Sequence, residues 1–145
     1  MGRLDQETIR AHLAALEEAV RVLRRLTGWG AAELQADPVR LWAVAHGVQL
    51  ALQNVLDVSM HIVAGIGGGT APEDYRGALV ALGRLGVVEQ AFAESIAPMA
   101  GLRNILVHSY LRLSVDRLVQ ALARLDDFDA FVRAVAAFLA LNPEL

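Results

Sequence analysis

The sequence contains no cysteine and no lysine, and these absences narrow the classes of protein to which it can belong. Without cysteine, the chain forms neither a disulfide framework nor a thiolate metal site. Without lysine, all 13 basic residues are arginines, which we attribute to genomic base composition rather than to function. The chain begins with no recognisable signal peptide, and none of its apolar runs is long enough to span a bilayer. We therefore expect a cytoplasmic protein that does not enter the membrane.

Charged residues are also scarce, because they make up 20% of the chain whereas hydrophobic residues make up 55%. This balance excludes intrinsic disorder and predicts a surface that associates with itself. The net charge of −3 excludes a broad electrostatic RNA binder, so any contact with RNA would depend on a local cluster of arginines. The length of 145 residues predicts a single domain, residues 1–145, with its own core.

The hydrophobic periodicity is helical throughout, and no segment alternates polar and apolar residues as a strand does. Residues 4–26 predict an amphipathic helix, 28–36 a connector, and 38–64 a long apolar helix that starts at the Asp37-Pro38 pair. Shorter helices are predicted at 72–84, 88–97 and 115–124, and a last helix is predicted to be capped by Asp126. The sequence thus predicts an all-α, up-and-down bundle with additional short helices.

Between two of these helices, residues 65–70 are rich in glycine and predict a loop. The segment lacks both the preceding strand and the Gly-Lys-Ser/Thr ending of a phosphate-binding loop. We therefore do not expect a nucleotide there.

The helix predicted at 38–64 carries one polar stripe that spans about 140° of its circumference. Its members are His46, Gln49, Gln53, Asn54, Asp57 and His61. One interpretation is a hydrogen-bonded seam at a helix or dimer interface. Another is that Asp57, one turn before His61, supports the segment 103–110. An Asp-His pair alone supplies too few ligands for a metal ion, so we predict no metal site.

Residues 98–112 place Arg103, Asn104, His108 and Tyr110 in an otherwise apolar segment, where polar groups cost free energy unless they are used. An imidazole exchanges protons near neutral pH, and an arginine can hold two phosphate oxygens in its planar fork. The chemistry that fits is metal-free cleavage of an RNA phosphodiester. His108 would take a proton from a 2′-hydroxyl or give one to the leaving 5′-oxygen, while Arg103 stabilises the developing negative charge.

The helical spacing of these residues predicts further geometry. Asn104 precedes His108 by four residues, so its amide can orient the imidazole. Arg103 lies five residues before His108, or about 140° around a regular helix. Either the long arginine side chain wraps around the helix, or two copies face each other and form a composite site in a homodimer. Considered alone, a histidine on an apolar helix such as His108 is more often a hydrogen-bonded core residue than a catalytic one, and Tyr110 could be an ordinary half-buried tyrosine.

Residues 103–110 resemble the Arg-x4-6-His motif of HEPN domains, in the Arg-x4-His-x-Tyr form of the HepT toxin family. The similarity extends to residues 46–62, to Tyr75-Arg76, to 97–102 and to 125–128. It covers roughly residues 38–138 and is weakest over the first helix.

The resemblance implies an all-helical, metal-independent endoribonuclease toxin that needs no cofactor and is paired with an MNT-type nucleotidyltransferase antitoxin. It implies that Arg103 and His108 are catalytic, and we place Asn104 with them. It also implies that the antitoxin transfers AMP onto Tyr110, which would block access of RNA. The alternative is a non-catalytic HEPN module that binds a nucleotide or a partner protein with the same arginine and histidine.

Overall fold

The computed structural model describes residues 3–68 and 72–145, and within these residues every regular element is a helix. The elements are α1 (Gln6–Arg24), α2 (Ala31–Ala36), α3 (Pro38–Ile66), α4 (Tyr75–Arg84), α5 (Gln90–Ile96), α6 (Met99–His108), a 3-10 turn (Tyr110–Arg112), α7 (Val115–Leu122) and α8 (Leu125–Leu141). The predicted all-α fold is confirmed.

The long helix α3 is the centre of the bundle and packs against α1, α4, α6 and α7. It begins where the sequence predicts, because the Asp37 carboxylate accepts the backbone N–H of Val39 at 3.0 Å and Pro38 occupies the first turn. Its buried side chains are apolar except for Ser59, whose hydroxyl donates to the carbonyl of Val55 at 2.8 Å. A buried helix with its polar groups satisfied gives the other helices a fixed surface to pack against.

The first helix follows the predicted boundaries closely. Asp5 precedes α1, and its carboxylate accepts hydrogen bonds from the hydroxyl and the backbone N–H of Thr8 at 2.7 and 3.0 Å. The Thr8 hydroxyl and then its N–H stabilise the ionised carboxylate, which lowers the pKa of Asp5 from its ordinary value. The buried face of α1 packs along α3 and α8.

The predicted connector at 28–36 is wrong in part, because its second half forms α2. Glu33 accepts a hydrogen bond from the backbone N–H of Gly30 at 3.5 Å, and Arg40 pairs with Glu33 at 3.5 Å and with Asp37 at 3.4 Å. The Arg40 guanidinium also lies 4.9 Å from the ring centroid of Trp29. These contacts hold a short helical segment whose own sequence has little helical periodicity.

Most other predicted boundaries move by one to three residues. The α4 helix begins at Tyr75 rather than Pro72, since the Asp74 carboxylate accepts the N–H of Gly77 at 2.7 Å. The α3 helix continues through Gly65 to Ile66, so only part of the predicted loop is non-helical, and Gly69 and Thr70 lie outside the described residues.

The last helix begins at Leu125, so Asp126 lies within its first turn and does not cap it. Arg24, at the end of α1, pairs with Asp126 and Asp129 and draws the two helix ends together. These carboxylates raise the pKa of the Arg24 guanidinium, and the side-chain hydrogen bond to Asp126 is the largest cause. Since the positive end of a helix favours negative charge, Asp126 is also well placed inside the first turn.

The buried apolar side chains form one continuous cluster. No helix within the described residues is both long and apolar enough to cross a membrane.

Candidate active site

Helix α6 carries the motif, and its apolar face fixes where the polar residues lie. Leu102 and Leu106 are buried, and such side chains contribute about 1.5–3 kcal/mol each to stability. Because residues three and four apart share a helix face, the pair anchors α6 against the core. Arg103 is consequently half-buried beside α3, whereas Asn104 and His108 are exposed.

The guanidinium of Arg103 is held from three sides. Its Nε donates to Oε1 of Gln53 on α3 at 2.8 Å, and its Nη1 donates to Oδ1 of Asn104 at 3.0 Å. Its central carbon lies 4.8 Å from the ring centroid of Tyr75 on α4, in the geometry of a cation–π contact. Arg103 forms no ion pair with any described carboxylate. Its positive charge is therefore oriented and remains available to an anionic ligand.

Asp57 reaches this guanidinium through Gln53. The side-chain amide nitrogen of Gln53 donates to Oδ1 of Asp57 at 2.8 Å, one turn further along α3. This bond fixes which end of the Gln53 amide faces Arg103, so the oxygen is presented to the guanidinium. That Asp57 supports the motif stays a prediction, and its bond to Gln53 provides the contact through which it would act. Gln53 itself was predicted only as a member of the polar stripe, and its four-residue spacing from Asp57 was the signal for this role.

His61, which was grouped with Asp57, contacts a different helix. Its ring centroid lies 5.7 Å from that of His12 on α1, with the planes tilted by 35°. Nδ1 of His12 lies 2.9 Å from Oδ1 of Asn54, which belongs to the same polar stripe. The polar stripe therefore divides into two parts. Gln53 bonds to Asp57 and to Arg103 of α6, whereas Asn54 and His61 lie against His12 of α1. No group of three or more potential metal ligands occurs in the part of the chain that the structure describes.

Asn104 makes a different contact from the one expected from helical spacing. Its amide oxygen accepts from Arg103 and so helps to orient the guanidinium rather than the imidazole. His108 is the last residue of α6, and its exposed side chain has no hydrogen-bond partner among residues 3–68 and 72–145. The imidazole is therefore open to a ligand but is not oriented by its own chain.

Tyr110 does not continue the α6 helix. Ser109 leaves helical geometry with φ −141° and ψ 44°, and Tyr110 begins a 3-10 turn. Tyr110 lies seven residues after Arg103 and would share a helix face with it only if α6 continued, so the two residues are not on one helix face. Tyr110 instead borders a shallow cleft with Trp42, His46 and Gln49 of α3, and the residue is 41% exposed. It therefore lies at the surface, outside the buried core.

The site therefore combines an immobilised cation with an exposed proton-transfer group on one helix. A guanidinium with fixed orientation can bind a phosphate and stabilise added negative charge. An exposed imidazole can accept or donate a proton to a bound ligand. These are the two groups that metal-free phosphodiester cleavage requires.

Comparison with protein families gives a match over most of the chain. The family model described as ribonuclease HepT-like matches residues 16–135. The tRNA nuclease HepT of Aphanizomenon flos-aquae is 29% identical over 93 residues, and the alignment covers 63% of this chain and 63% of that protein. The mRNA nuclease HepT of Shewanella oneidensis is 25% identical over 130 residues, which is 86% of this chain and 93% of that protein.

Solved structures share the same fold at low sequence identity. YutE of Bacillus subtilis, described as a cytosolic protein of unknown function, superposes with a TM-score of 0.82 at 18% identity, covering 100% of this chain and 96% of that one. A tri-AMPylated HEPN toxin of Shewanella oneidensis, solved in complex with an MNT antitoxin, superposes with a TM-score of 0.77 at 23% identity. That match covers 89% of this chain and 96% of the toxin.

Proposed function

This chain belongs to the HepT-like ribonuclease family, and we propose that it is the toxin of a toxin–antitoxin system, a metal-independent endoribonuclease that acts in the cytosol. The observation that carries the proposal is the arrangement on α6. Arg103 is held by Gln53, Asn104 and Tyr75, and His108 lies exposed five residues further on. Two curated relatives that share the family are nucleases of tRNA and of mRNA, which supports RNA as the substrate class.

In the proposed reaction, the imidazole of His108 takes the proton of a ribose 2′-hydroxyl. The 2′-oxygen then forms a bond to phosphorus, the bond from phosphorus to the 5′-oxygen breaks, and that oxygen takes a proton from the protonated imidazole or from water. Arg103 holds the phosphoryl oxygens as negative charge accumulates on them. The products are a 2′,3′-cyclic phosphate and a 5′-hydroxyl, and no step requires a metal ion or a cofactor.

We also propose that the active form is a homodimer built through α3 and α6. Apolar side chains lie exposed on both helices and on the turn that follows α6, including Trp42, Leu50, Val107 and Leu111. Trp42 is 65% exposed, which is unusual for a side chain of that size unless another surface covers it. A second copy would bring its His108 to the Arg103 of this chain, so each of the two sites would combine groups from both copies.

The partner in this proposal is an MNT-type nucleotidyltransferase that inactivates the toxin by transferring AMP to Tyr110. Tyr110 is exposed and lies two residues after His108. Each added phosphate would introduce negative charge close to His108 in the chain, where it would repel the phosphates of RNA and obstruct their approach. The Shewanella toxin with the same fold is itself AMPylated and bound to an MNT antitoxin, which supports this regulation.

The second candidate is a non-catalytic module that binds a nucleotide or a partner protein. It is favoured by one observation, the lack of any hydrogen bond from the described residues that would orient the His108 imidazole. The two candidates differ in what happens to RNA. Wild-type protein and His108→Ala should be expressed in parallel and the new RNA ends mapped. We expect ends with cyclic phosphate and 5′-hydroxyl groups from the wild type alone, and identical RNA from both cultures would favour the binding module.

A further inference from the structure

An open cleft of about 730 Å³ lies directly beside Arg103, between α4, α6 and α7. Its lining includes Tyr75 and Asn104, the two residues whose side chains contact the Arg103 guanidinium from α4 and α6. The cleft therefore shares two of its walls with the candidate active site. Its volume lies within the range of about 300–1,000 Å³ that is usual for ligand pockets.

Two arginines from different helices line this cleft, Arg76 of α4 and Arg117 of α7. Neither forms an ion pair with any carboxylate in the described ranges. They bring two positive charges to a cleft whose walls also contact Arg103, on a chain whose net charge is −3. Positive charges from two helices in one cleft indicate a ligand that carries negative charge.

Acidic groups also border the cleft and limit where an anion can lie. Glu73 and Asp74 both contribute to its lining. The Asp74 carboxylate accepts the backbone N–H of Gly77, so it is occupied in capping α4. Glu73 has no such partner among the described residues, so its negative charge weakens the binding of an anion in the cleft.

The wall contributed by α6 is built from small residues. Ala100 and Gly101 line the cleft, and a Cβ added at Gly101 would meet no described heavy atom within 4 Å outside its own helix turn. The open space at Gly101 lets a ligand approach the helix backbone closely. Along α6, Asn104 lies one turn, about 6 Å, before His108. An RNA strand that lies along α6 past His108 can therefore continue into this cleft without a sharp bend.

We propose that this cleft binds the RNA strand on one side of the cleaved bond, with Arg76 and Arg117 each contacting a backbone phosphate. The inference rests on the proposed ribonuclease function and extends it to the flanking nucleotides. Because only a few arginines are involved, the cleft contacts few phosphates, and its contribution is affinity and placement rather than chemistry. The arginines of this cleft are distinct from Arg103, which acts at the reacting phosphate.

The binding experiment uses His108→Ala protein, in which cleavage is blocked, and a short single-stranded RNA read by fluorescence anisotropy over a series of salt concentrations. Adding Arg76→Gln or Arg117→Gln should weaken binding by about fivefold each, the most that a solvent-exposed charge pair usually contributes. Each substitution should also reduce the slope of log affinity against log salt by about 0.7, the value for one phosphate of a single strand.

A matched control is Arg21→Gln, which removes an exposed arginine on α1, away from the cleft. It should change neither affinity nor salt slope by more than the error of the measurement. Glu73→Gln should have the opposite sign and strengthen binding, because it removes the negative charge from the lining. Unchanged affinity and unchanged slope in the Arg76→Gln, Arg117→Gln double variant would overturn the proposal.

Filling the cleft provides a second test that does not depend on charge. Gly101→Trp should raise the KM for RNA cleavage in otherwise wild-type protein, whereas Gly28→Trp, at an open position outside the cleft, should keep KM near the wild-type value. Circular dichroism melts of both variants check that the helical fold is intact. If wild-type protein cleaves no RNA, the proposed ribonuclease activity is refuted. The proposed binding of RNA in the cleft is not, because fluorescence anisotropy measures it separately. A double arginine variant that loses affinity for the nucleotidyltransferase while binding RNA normally would assign the cleft to that protein and overturn RNA binding.

Discussion

Arg103 and His108 belong to the same helix and the same motif, but the chain prepares them very differently. The Arg103 guanidinium donates hydrogen bonds to Gln53 on α3 and to Asn104 on α6, and it lies against the ring of Tyr75 on α4. The imidazole stands at the end of α6, exposed and without a hydrogen-bond partner among the residues that the structure describes. In the proposed reaction, the group that stabilises charge would thus be oriented before RNA binds, while the proton-transfer group would be oriented by the substrate or by a second copy of the chain.

This difference has a physical reason. An arginine side chain has several rotatable bonds, so holding it in one orientation costs conformational entropy. The packing and hydrogen bonds formed on folding offset this cost. A histidine has only two such bonds, so substrate binding can orient it at a smaller cost. We therefore expect substitutions of neighbouring side chains to affect the role proposed for Arg103 more than that proposed for His108.

The largest expected effect is loss of either group itself. His108→Ala and Arg103→Ala should each reduce RNA cleavage by about 1,000-fold or more, since general acid–base catalysis and oxyanion stabilisation each contribute on that order. Cleavage should be measured with and without EDTA, which should have no effect on the wild type. His61→Ala is the matched control, because it removes another exposed histidine, which lies on α3 beside His12 of α1. A His108→Ala protein that cleaves at the wild-type rate would refute the assignment, and inhibition by EDTA would refute the metal-free mechanism.

The next effect tests whether His108 is oriented by a second copy. If the site is composite, Arg103→Ala and His108→Ala chains mixed in equal amounts should recover activity that neither has alone. Random exchange makes half of the dimers mixed, and each mixed dimer has one intact site, so recovery should approach about a quarter of the wild-type rate. Light scattering establishes that mixed dimers form. Dimers that form without recovery would place both groups in a single chain, and a stable monomer at micromolar concentration would refute the dimer.

A smaller effect should follow from removing the support of Arg103. Gln53→Met keeps the length of the side chain but removes the oxygen that accepts from Nε, so kcat should fall by about tenfold while KM for RNA changes little. Gln49→Met is the same substitution one turn earlier on α3, and Gln49 does not bond to Arg103. It should leave kcat unchanged. Equal kcat in the two variants would show that Gln53 has only a structural role.

A carboxylate at the same position sharpens this test. Gln53→Glu keeps an acceptor for the Nε of Arg103 but adds a negative charge beside it. Orientation should therefore be restored while phosphate binding weakens, so kcat should recover and KM should rise. If the kcat of Gln53→Glu stays as low as that of Gln53→Met, the amide nitrogen of Gln53 and its bond to Asp57 would be the feature that supports catalysis.

The fold was largely predictable from the sequence because its main helices have strong local signals. Asp37-Pro38 set the start of α3, and the three- and four-residue spacing of apolar residues set α1. The short helix α2 was missed, since it depends on Arg40, which reaches back to Glu33 from the next helix. Contacts of that kind cannot be read from local periodicity.

The motif residues were also predictable, but their neighbours were only partly so. The sequence placed Gln53, Asn54, Asp57 and His61 in one stripe, and the structure divides them between two partner helices. Adjacent residues on a helix differ by about 100°, which is enough to direct Gln53 to α6 and Asn54 to α1. The sequence could not show where either neighbouring helix lies. The contact of Tyr75 with Arg103 could not be predicted either, because the two residues are distant in the chain and only the packing of α4 against α6 brings them together.

The smallest expected effect on catalysis is that of Tyr110→Phe, and it separates the catalytic groups from the regulated one. The 3-10 turn places Tyr110 beside Trp42 and His46 rather than on the Arg103 face of α6, so removal of its hydroxyl disturbs neither catalytic group. Cleavage should remain within about twofold of the wild type, the change expected when no contact to the reacting atoms is lost. Incubation with the nucleotidyltransferase and ATP should inactivate the wild type and add AMP, seen by intact-mass measurement, but should do neither to Tyr110→Phe. The other tyrosine provides the control: Tyr75→Phe keeps the aromatic ring that Arg103 contacts and should still be modified. AMP found at another residue, or a Tyr110→Phe protein that is still silenced, would contradict Tyr110 as the acceptor and leave it as a packing residue of the exposed turn.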